Sequence, residues 1–464
     1  MQAVRFRLVL FGVLAVSAAL GGCRSQASPS AGPSAGQNPA LNAAATAPPQ
    51  AAAPDPAAAA PIGEHDVAAA SPEQGDAHHG NGRVDASLNG AAAFSAAPLL
   101  LAVVDAPDTA PTVDEASGLR LISARLEEGI TRVVVSWPPL DPTRYSAWEL
   151  ETAPVATGPF LPRSKGAAAR GDKPGTASVA LAQPIAWFRL IRVTRAGRRE
   201  ASGVIRALAI KGGDYDLGRR TVPYAPDHLA RVKALYRFPA SLAELKASVP
   251  LAVITHGNTG VCRNPDGEDV CDMSLVINDA CPEGKSPTPS AEGFIWLAEN
   301  LASRGYVVVV VDANTVNCTA LPMIVQGRTS LILEHLRLWA RATRGMESTL
   351  GDGFRGRIDF TRLALVGHSN GAEASAMIPA MLGAPHTQPQ LFGARVASVV
   401  AIAGSDSLGA VPSSTPFLAI QAGCDMQLPA HDGLRLYDRS VATRTAPHTV
   451  AYVVAATHNG FNQR

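Results

Sequence analysis

Charge is scarce in this sequence. Only 17% of its 464 residues are Asp, Glu, Lys or Arg, and the formal net charge is +1. A chain so nearly neutral has no long-range field to draw it to nucleic acid or to steer an ionic substrate, which excludes nucleic-acid binding. Paired C-x-x-C units are lacking too, although six cysteines are present, so a structural zinc site has no framework and no metal is expected. The N-terminal apolar run, Leu8 to Leu20, is interrupted only by Gly12 and Ser17. As a helix it would rise about 20 Å, short of the roughly 30 Å hydrocarbon slab, which suits a signal h-region rather than a stable span. Against these shortages stand 47% hydrophobic residues, ample for a buried core, and a length that suggests about three domains.

Arg5 and Arg7 precede the apolar run, and Leu20-Gly21-Gly22-Cys23 ends it. The arrangement resembles the signal peptide and lipobox of bacterial lipoproteins. That resemblance implies that residues 1–22 are removed and that Cys23 is lipidated. Acyl chains at ~0.8 kcal/mol per buried CH₂ would then anchor an exported protein to a membrane, facing the periplasm or the cell surface. Residue 24 is Arg rather than Asp, which is compatible with outer-membrane sorting. Residues 23–111 are rich in Ala and Pro with Phe94 as a lone aromatic. Such a stretch cannot bury enough apolar area to offset chain entropy and reads as a disordered tether, His78-His79 being a solvated pair within it. Export places the other five cysteines in an oxidising compartment. Five is odd, so at most two disulfides form and one thiol is left. Cys262, Cys271, Cys281 and Cys318 are the candidates, with Cys424 further on, and the spacing leaves the pairing open.

Residues 117–210 change character. Leu119–Leu126, Thr131–Trp137, Ala147–Thr152, Ala177–Leu181, Trp187–Val193 and Ser202–Leu208 are short alternating or β-branched runs with turn residues between them. They predict an antiparallel β-sandwich. Val134-Val135-Ser136-Trp137 and Phe188-Arg189-Leu190-Ile191-Arg192-Val193 resemble the core-Trp strand and a late strand of fibronectin type III modules. The resemblance implies a spacer, with carbohydrate binding as the alternative.

From Gly212 apolar strands alternate with helical periods. Val249–Thr255, Tyr306–Val311, Leu363–Val366, Val396–Ala403, Phe417–Gln421 and Val450–Ala455 read as strands, and Ala291–Arg304 and Arg328–Arg341 as amphipathic helices. Residues 215–464 are therefore expected to form an α/β domain, a doubly wound and mostly parallel sheet with its chemistry at the carboxyl ends of the strands.

Leu363–Val366 runs into Gly367-His368-Ser369-Asn370-Gly371, followed by small helix-favouring residues. This is G-x-S-x-G between strand and helix, where flanking glycines permit a turn too tight for a Cβ and present a serine Oγ. Such a hydroxyl needs a base and a group to orient it. In the order serine, acid, histidine, His458 after the last strand is the expected base. His386 comes too early, His448 lies at the wrong end of its strand, His431 reads as a loop residue and His368 as packing. Asp425, at the end of Phe417–Gln421, is the expected acid, ahead of Asp406 and Asp432. One oxyanion donor should be the Asn370 N–H. His256-Gly257-Asn258 resembles the oxyanion turn of lipases and esterases, which implies the Asn258 N–H as the second.

Further blocks are in register with these. They are Cys262, Leu301 to Val308, Phe354-Arg355-Gly356-Arg357-Ile358-Asp359, Cys424-Asp425 and His458-Asn459-Gly460-Phe461-Asn462. Together they resemble a secreted bacterial branch of the α/β-hydrolase superfamily near the dienelactone-hydrolase-like and cutinase-like polyester hydrolases. The resemblance implies a serine esterase without cofactor, acting on a small-molecule, lipid or polymer ester. It also implies a Cys262–Cys281 bridge beside the oxyanion turn. A serine peptidase or amidase with the same triad, or a non-catalytic surface lipoprotein, are the alternatives. Members of this superfamily usually carry a helix after the histidine that covers one face of the sheet. Only six positions follow His458 here, so either the chain is a fragment or something else covers that face. Oligomeric state is not legible.

Overall fold

The computed structural model describes residues 111–463 except 169–172, 223–224, 279, 320–322, 384–390 and 429–430, together with a two-residue antiparallel ladder between Leu10–Phe11 and Leu99–Leu100. The described residues belong to one compact unit. Apart from that ladder and residue 111, the signal segment and the tether, with Cys23 and His78-His79, lie outside them, as does His386.

Residues 113–208 form two antiparallel sheets. One contains Val113–Asp114, Leu119–Glu127, Ile130–Trp137 and Gly175–Ala180. The other contains Tyr145–Ala153, Leu161–Ala167, Ile185–Thr194, Arg199–Ala201 and Ile205–Leu208. Inward positions alternate along the strands. Leu119, Val133, Val135, Trp137, Leu150 and Phe188 are buried in one cluster, with the Trp137 and Trp148 rings 4.6 Å apart.

The second layer system is an eight-stranded sheet. Its strands are β1 (Ile210–Val222), β2 (Ala225–Pro239), β3 (Val249–Thr255), β4 (Val307–Asp312), β5 (Ile358–His368), β6 (Val396–Ile402), β7 (Phe417–Cys424) and β8 (His448–Thr457). The spatial order is β1-β2-β4-β3-β5-β6-β7-β8. Only β2 runs antiparallel to its neighbours. The β1–β2 hairpin escapes sequence reading because charged residues such as Lys211, Asp214, Asp216, Arg219, Arg231, Lys233 and Arg237 interrupt both strands, which lack the apolar run of a central strand. β4 shows the opposite character: five consecutive valines, all fully buried, as a strand covered on both faces requires. Each contributes roughly 1.5–3 kcal/mol relative to exposure.

Among the described residues four longer helices flank the sheet: α1 (Ile295–Ala302), α2 (Met323–Thr343), α3 (Asn370–Leu382) and α4 (Asp432–Ala442). α2, α3 and α4 pack on one face against Leu251, Val253, Val309 and Leu365. The opposite face, with Ala252, Ile254, Val308, Val310, Ile402 and Ile420, shares a single core with α1 and with the sandwich. The sandwich thus covers part of this face of the sheet. Polar contacts seal the join. The Leu208 N–H donates to the Ser303 carbonyl at 2.9 Å, and buried Arg304 donates to the Leu121 carbonyl at 2.8 Å. Glu299 on α1 pairs with Arg125 from the sandwich and Arg237 from β2. α1 stops where Gly305 takes φ 101° and the Tyr306 N–H turns back to the Leu301 carbonyl, a left-handed cap that suits glycine.

Candidate active site

Ser369, Asp425 and His458 follow the carboxyl ends of β5, β7 and β8, and the His256-Gly257-Asn258 turn follows that of β3. β5 ends at His368, and Ser369 sits in the tight turn into α3 with φ 56° and ψ −126°. A non-glycine residue at positive φ is held there only by its surroundings. A Cβ at Gly367 would stand 2.1 Å from the Gly371 carbonyl oxygen, and one at Gly371 would stand 2.4 Å from the Thr255 carbonyl oxygen. Both glycines are therefore obligatory: one for the turn itself, the other for the approach of α3 to β3. The Ser369 N–H is tied to the Ile402 carbonyl at 3.0 Å and its carbonyl to the Ser405 N–H at 3.2 Å. Ser369 is 7% exposed.

His458 opens a short 3₁₀ turn directly after β8. Its Nδ1 lies 2.8 Å from Asp425 Oδ2, with the two residues 3% and 4% exposed. Asp425 Oδ1 accepts from the N–H groups of Gln427 and Leu428 at 3.1 and 2.9 Å. Burial opposes the Asp425 charge, but the hydrogen bonds from His458 and Leu428 outweigh it and hold the carboxyl below its ordinary range. A carboxylate on Nδ1 fixes the imidazole with its proton on that nitrogen and leaves Nε2 to accept one.

His368, adjacent to Ser369, packs its ring 4.9 Å from that of His458 and donates its Nε2–H to the His458 carbonyl at 2.8 Å. It does more than pack, and nothing in the sequence marks the contact. The rival residues lie elsewhere. Asp406 pairs with Arg439 and Asp432 with Arg435. His448 begins β8 at the far end and contacts Ser440 and the Thr415 carbonyl. His431 caps α4 at φ 51° and packs against Tyr452.

The turn after β3 passes directly over Ser369: a Cβ on Gly257 would come 2.4 Å from the Ser369 Cβ. Asn258 follows, its side-chain oxygen accepting from the Cys318 N–H at 3.0 Å. Cys262–Cys281 and Cys271–Cys318 are disulfides that close the segment beside this turn. Cys424 is disulfide-bonded as well, and no cysteine is free among the described residues. Among the described residues the expectation of one leftover thiol is thereby corrected.

No protein-family model matches the chain. No curated protein matches it either. Among solved structures it is similar to esterase Est22, at 15% identity and a TM-score of 0.33 over 54% of this chain and 73% of that one. The carboxylesterase Cest-2923 from Lactobacillus plantarum WCFS1 gives 12% and 0.33 over 52% and 83%. A bacterial heroin esterase gives 13% and 0.33 over 54% and 77%. Scores of this size carry nothing about activity.

One residue in contact with the turn after β3 was not singled out in the sequence. Arg328, read there as the start of an amphipathic helix, lies one turn into α2 and is fully buried. It donates to the carbonyls of His256 at 3.1 Å and Gly257 at 2.8 Å, and to the Asn317 side chain. Periodicity marks a helix face but does not say that a cation on it will be driven inward.

Proposed function

We propose that the chain is a serine carboxylesterase of the α/β-hydrolase type, with Ser369 as nucleophile, His458 as base and Asp425 as the orienting acid. The observation that carries this reading is the 2.8 Å pairing of His458 Nδ1 with Asp425 at the strand ends, beside a serine held at positive φ. In the proposed first step Ser369 Oγ attacks the ester carbon and its proton passes to His458 Nε2. The carbonyl π pair moves onto oxygen, which the Asn258 and Asn370 N–H groups receive. Collapse expels the alcohol, which takes the proton from the imidazolium, and water repeats the sequence on the acyl-enzyme. No cofactor enters this scheme.

The exported, lipid-anchored placement through Cys23, with residues 23–111 as tether and residues 117–210 as a fibronectin type III-like module, belongs to the same proposal. Its support is the N-terminal sequence pattern. The substrate is an ester met outside the cytoplasm, a small molecule, lipid or polymer.

The test is labelling with a fluorophosphonate probe, located by peptide mapping, alongside turnover of matched p-nitrophenyl ester and anilide substrates. Labelling at Ser369, abolished in Ser369→Ala, with ester turnover reduced by at least about 10⁴-fold in a folded variant, is the expected result. Retained esterase activity in Ser369→Ala would refute the assignment.

A further inference from the structure

The peptide joining Gly257 to Asn258 is loaded from behind. Its carbonyl accepts from Arg328 Nη2 at 2.8 Å. It accepts again from the neighbouring His256 ring, whose Nδ1 lies 2.8 Å away. The tautomer of that ring follows from its other contact: the Ala313 N–H donates to His256 Nε2 at 2.9 Å, so the proton sits on Nδ1 and points at the Gly257 carbonyl. In a trans peptide the N–H faces away from the C=O. The other end of this doubly hydrogen-bonded unit is therefore the Asn258 N–H.

Arg328 itself is expensive to keep where it is. It is fully buried, and burial pushes its guanidinium down to about 9 with no carboxylate offsetting the shift. A buried cation without a counter-ion is destabilising unless hydrogen bonds offset its lost hydration. All four of its acceptors are neutral: the carbonyls of Ile324, His256 and Gly257, and the Asn317 amide oxygen. Asn317 in turn donates to Thr259 at 3.0 Å, so the guanidinium grips the turn on both sides of Asn258. A buried hydrogen-bonded chain polarises along its length, and a carbonyl that accepts from a cation makes the N–H of its own peptide a stronger donor.

We propose that Arg328 is a positioning residue which, together with the His256 ring, polarises the Gly257–Asn258 peptide and aims its N–H at the negative charge that develops on the substrate oxygen. The inference rests on the esterase reading above. It assigns Arg328 a task in transition-state stabilisation, not in substrate binding.

The test uses the full chain carrying Arg328→Met, which keeps the stem and removes the charge, and Arg328→Lys, which keeps the charge but loses the fork. Near-UV circular dichroism and Tm establish folding. A polarised donor serves the transition state alone. Both variants should therefore lose about 10- to 100-fold in kcat on a p-nitrophenyl ester, below the cost of deleting a whole oxyanion donor, with KM within about twofold. The affinity for an aryl boronic acid, which places a tetrahedral oxygen in the same position, should fall by a matching factor. Wild-type kcat and boronate affinity in a folded variant would overturn the inference. So would a raised KM at unchanged kcat, or failure of both variants to fold, which would assign Arg328 to the core alone. Fluorophosphonate labelling of the wild type separates the two levels. If wild-type Ser369 is labelled but the Arg328 variants match wild type, only this inference falls; if wild-type Ser369 is not labelled, both fall.

Discussion

The residue before Ser369 holds the residue proposed as its base: His368 Nε2–H donates to the main-chain carbonyl of His458 at 2.8 Å, with the rings 4.9 Å apart. The end of β5 and the end of β8 are thereby locked together through a side chain that needs no part in proton transfer.

Removing that link should loosen His458 without removing any reacting group. His368→Ala is expected to lower kcat by about 10-fold, since misplacement of a reacting group by an ångström costs up to about 100-fold. Fluorophosphonate should still label Ser369, more slowly. His368→Gln, whose amide can donate to the same carbonyl, should recover part of the loss. An unchanged kcat in His368→Ala would show that the carbonyl contact is incidental.

The Asp425 carboxyl titrates below its ordinary range in the folded protein, because the hydrogen bonds it accepts outweigh its burial. A depressed carboxylate stabilises the fold above its unfolded pKa of about 3.9, and that contribution disappears as pH falls through the lower folded value. Asp425→Asn should therefore flatten the decline of Tm with falling pH in that acid window. It should also reduce kcat at neutral pH by up to about 10⁴-fold, because an amide in place of the carboxylate no longer holds the proton on Nδ1. Parallel Tm–pH series and ester kinetics on both proteins check the two effects.

The Cys271–Cys318 bridge closes a loop of sequence separation 47, and the N–H of Cys318 holds the Asn258 side chain at 3.0 Å. Chain-entropy reasoning gives about 4 kcal/mol for a loop of that size. Cys271→Ser with Cys318→Ser should lower the midpoint of urea unfolding and reduce esterase turnover together, since the same segment steadies the turn. Loss of stability with full turnover would uncouple the bridge from the site.

Because the sandwich and one face of the sheet share a core, they should unfold together. Calorimetry of the chain is expected to give a single transition for residues 113–463. A second check, on the intact chain, is Arg304→Met, which leaves the Leu121 carbonyl without its 2.8 Å donor at a cost of about 1–3 kcal/mol. It should lower Tm for sandwich and sheet alike. Two separated transitions would mean that the modules are independent.

What the primary structure alone determined is local. The turn around Ser369 was legible because glycines two residues either side are a steric requirement of the turn, and β3 and β4 were legible because doubly covered strands must be apolar throughout. The order of serine, acid and histidine narrowed the partners by chain position. Strand position put Asp425 ahead of Asp406 in the sequence, and the tertiary structure shows which carboxylate meets His458 and which meets Arg439. It alone turned His368 towards the His458 carbonyl, drew Arg328 inward under the Gly257 peptide and placed the sandwich against the sheet. Those contacts join residues 71 to 183 positions apart, and no periodicity or spacing records a pairing that the packing of separate layers creates.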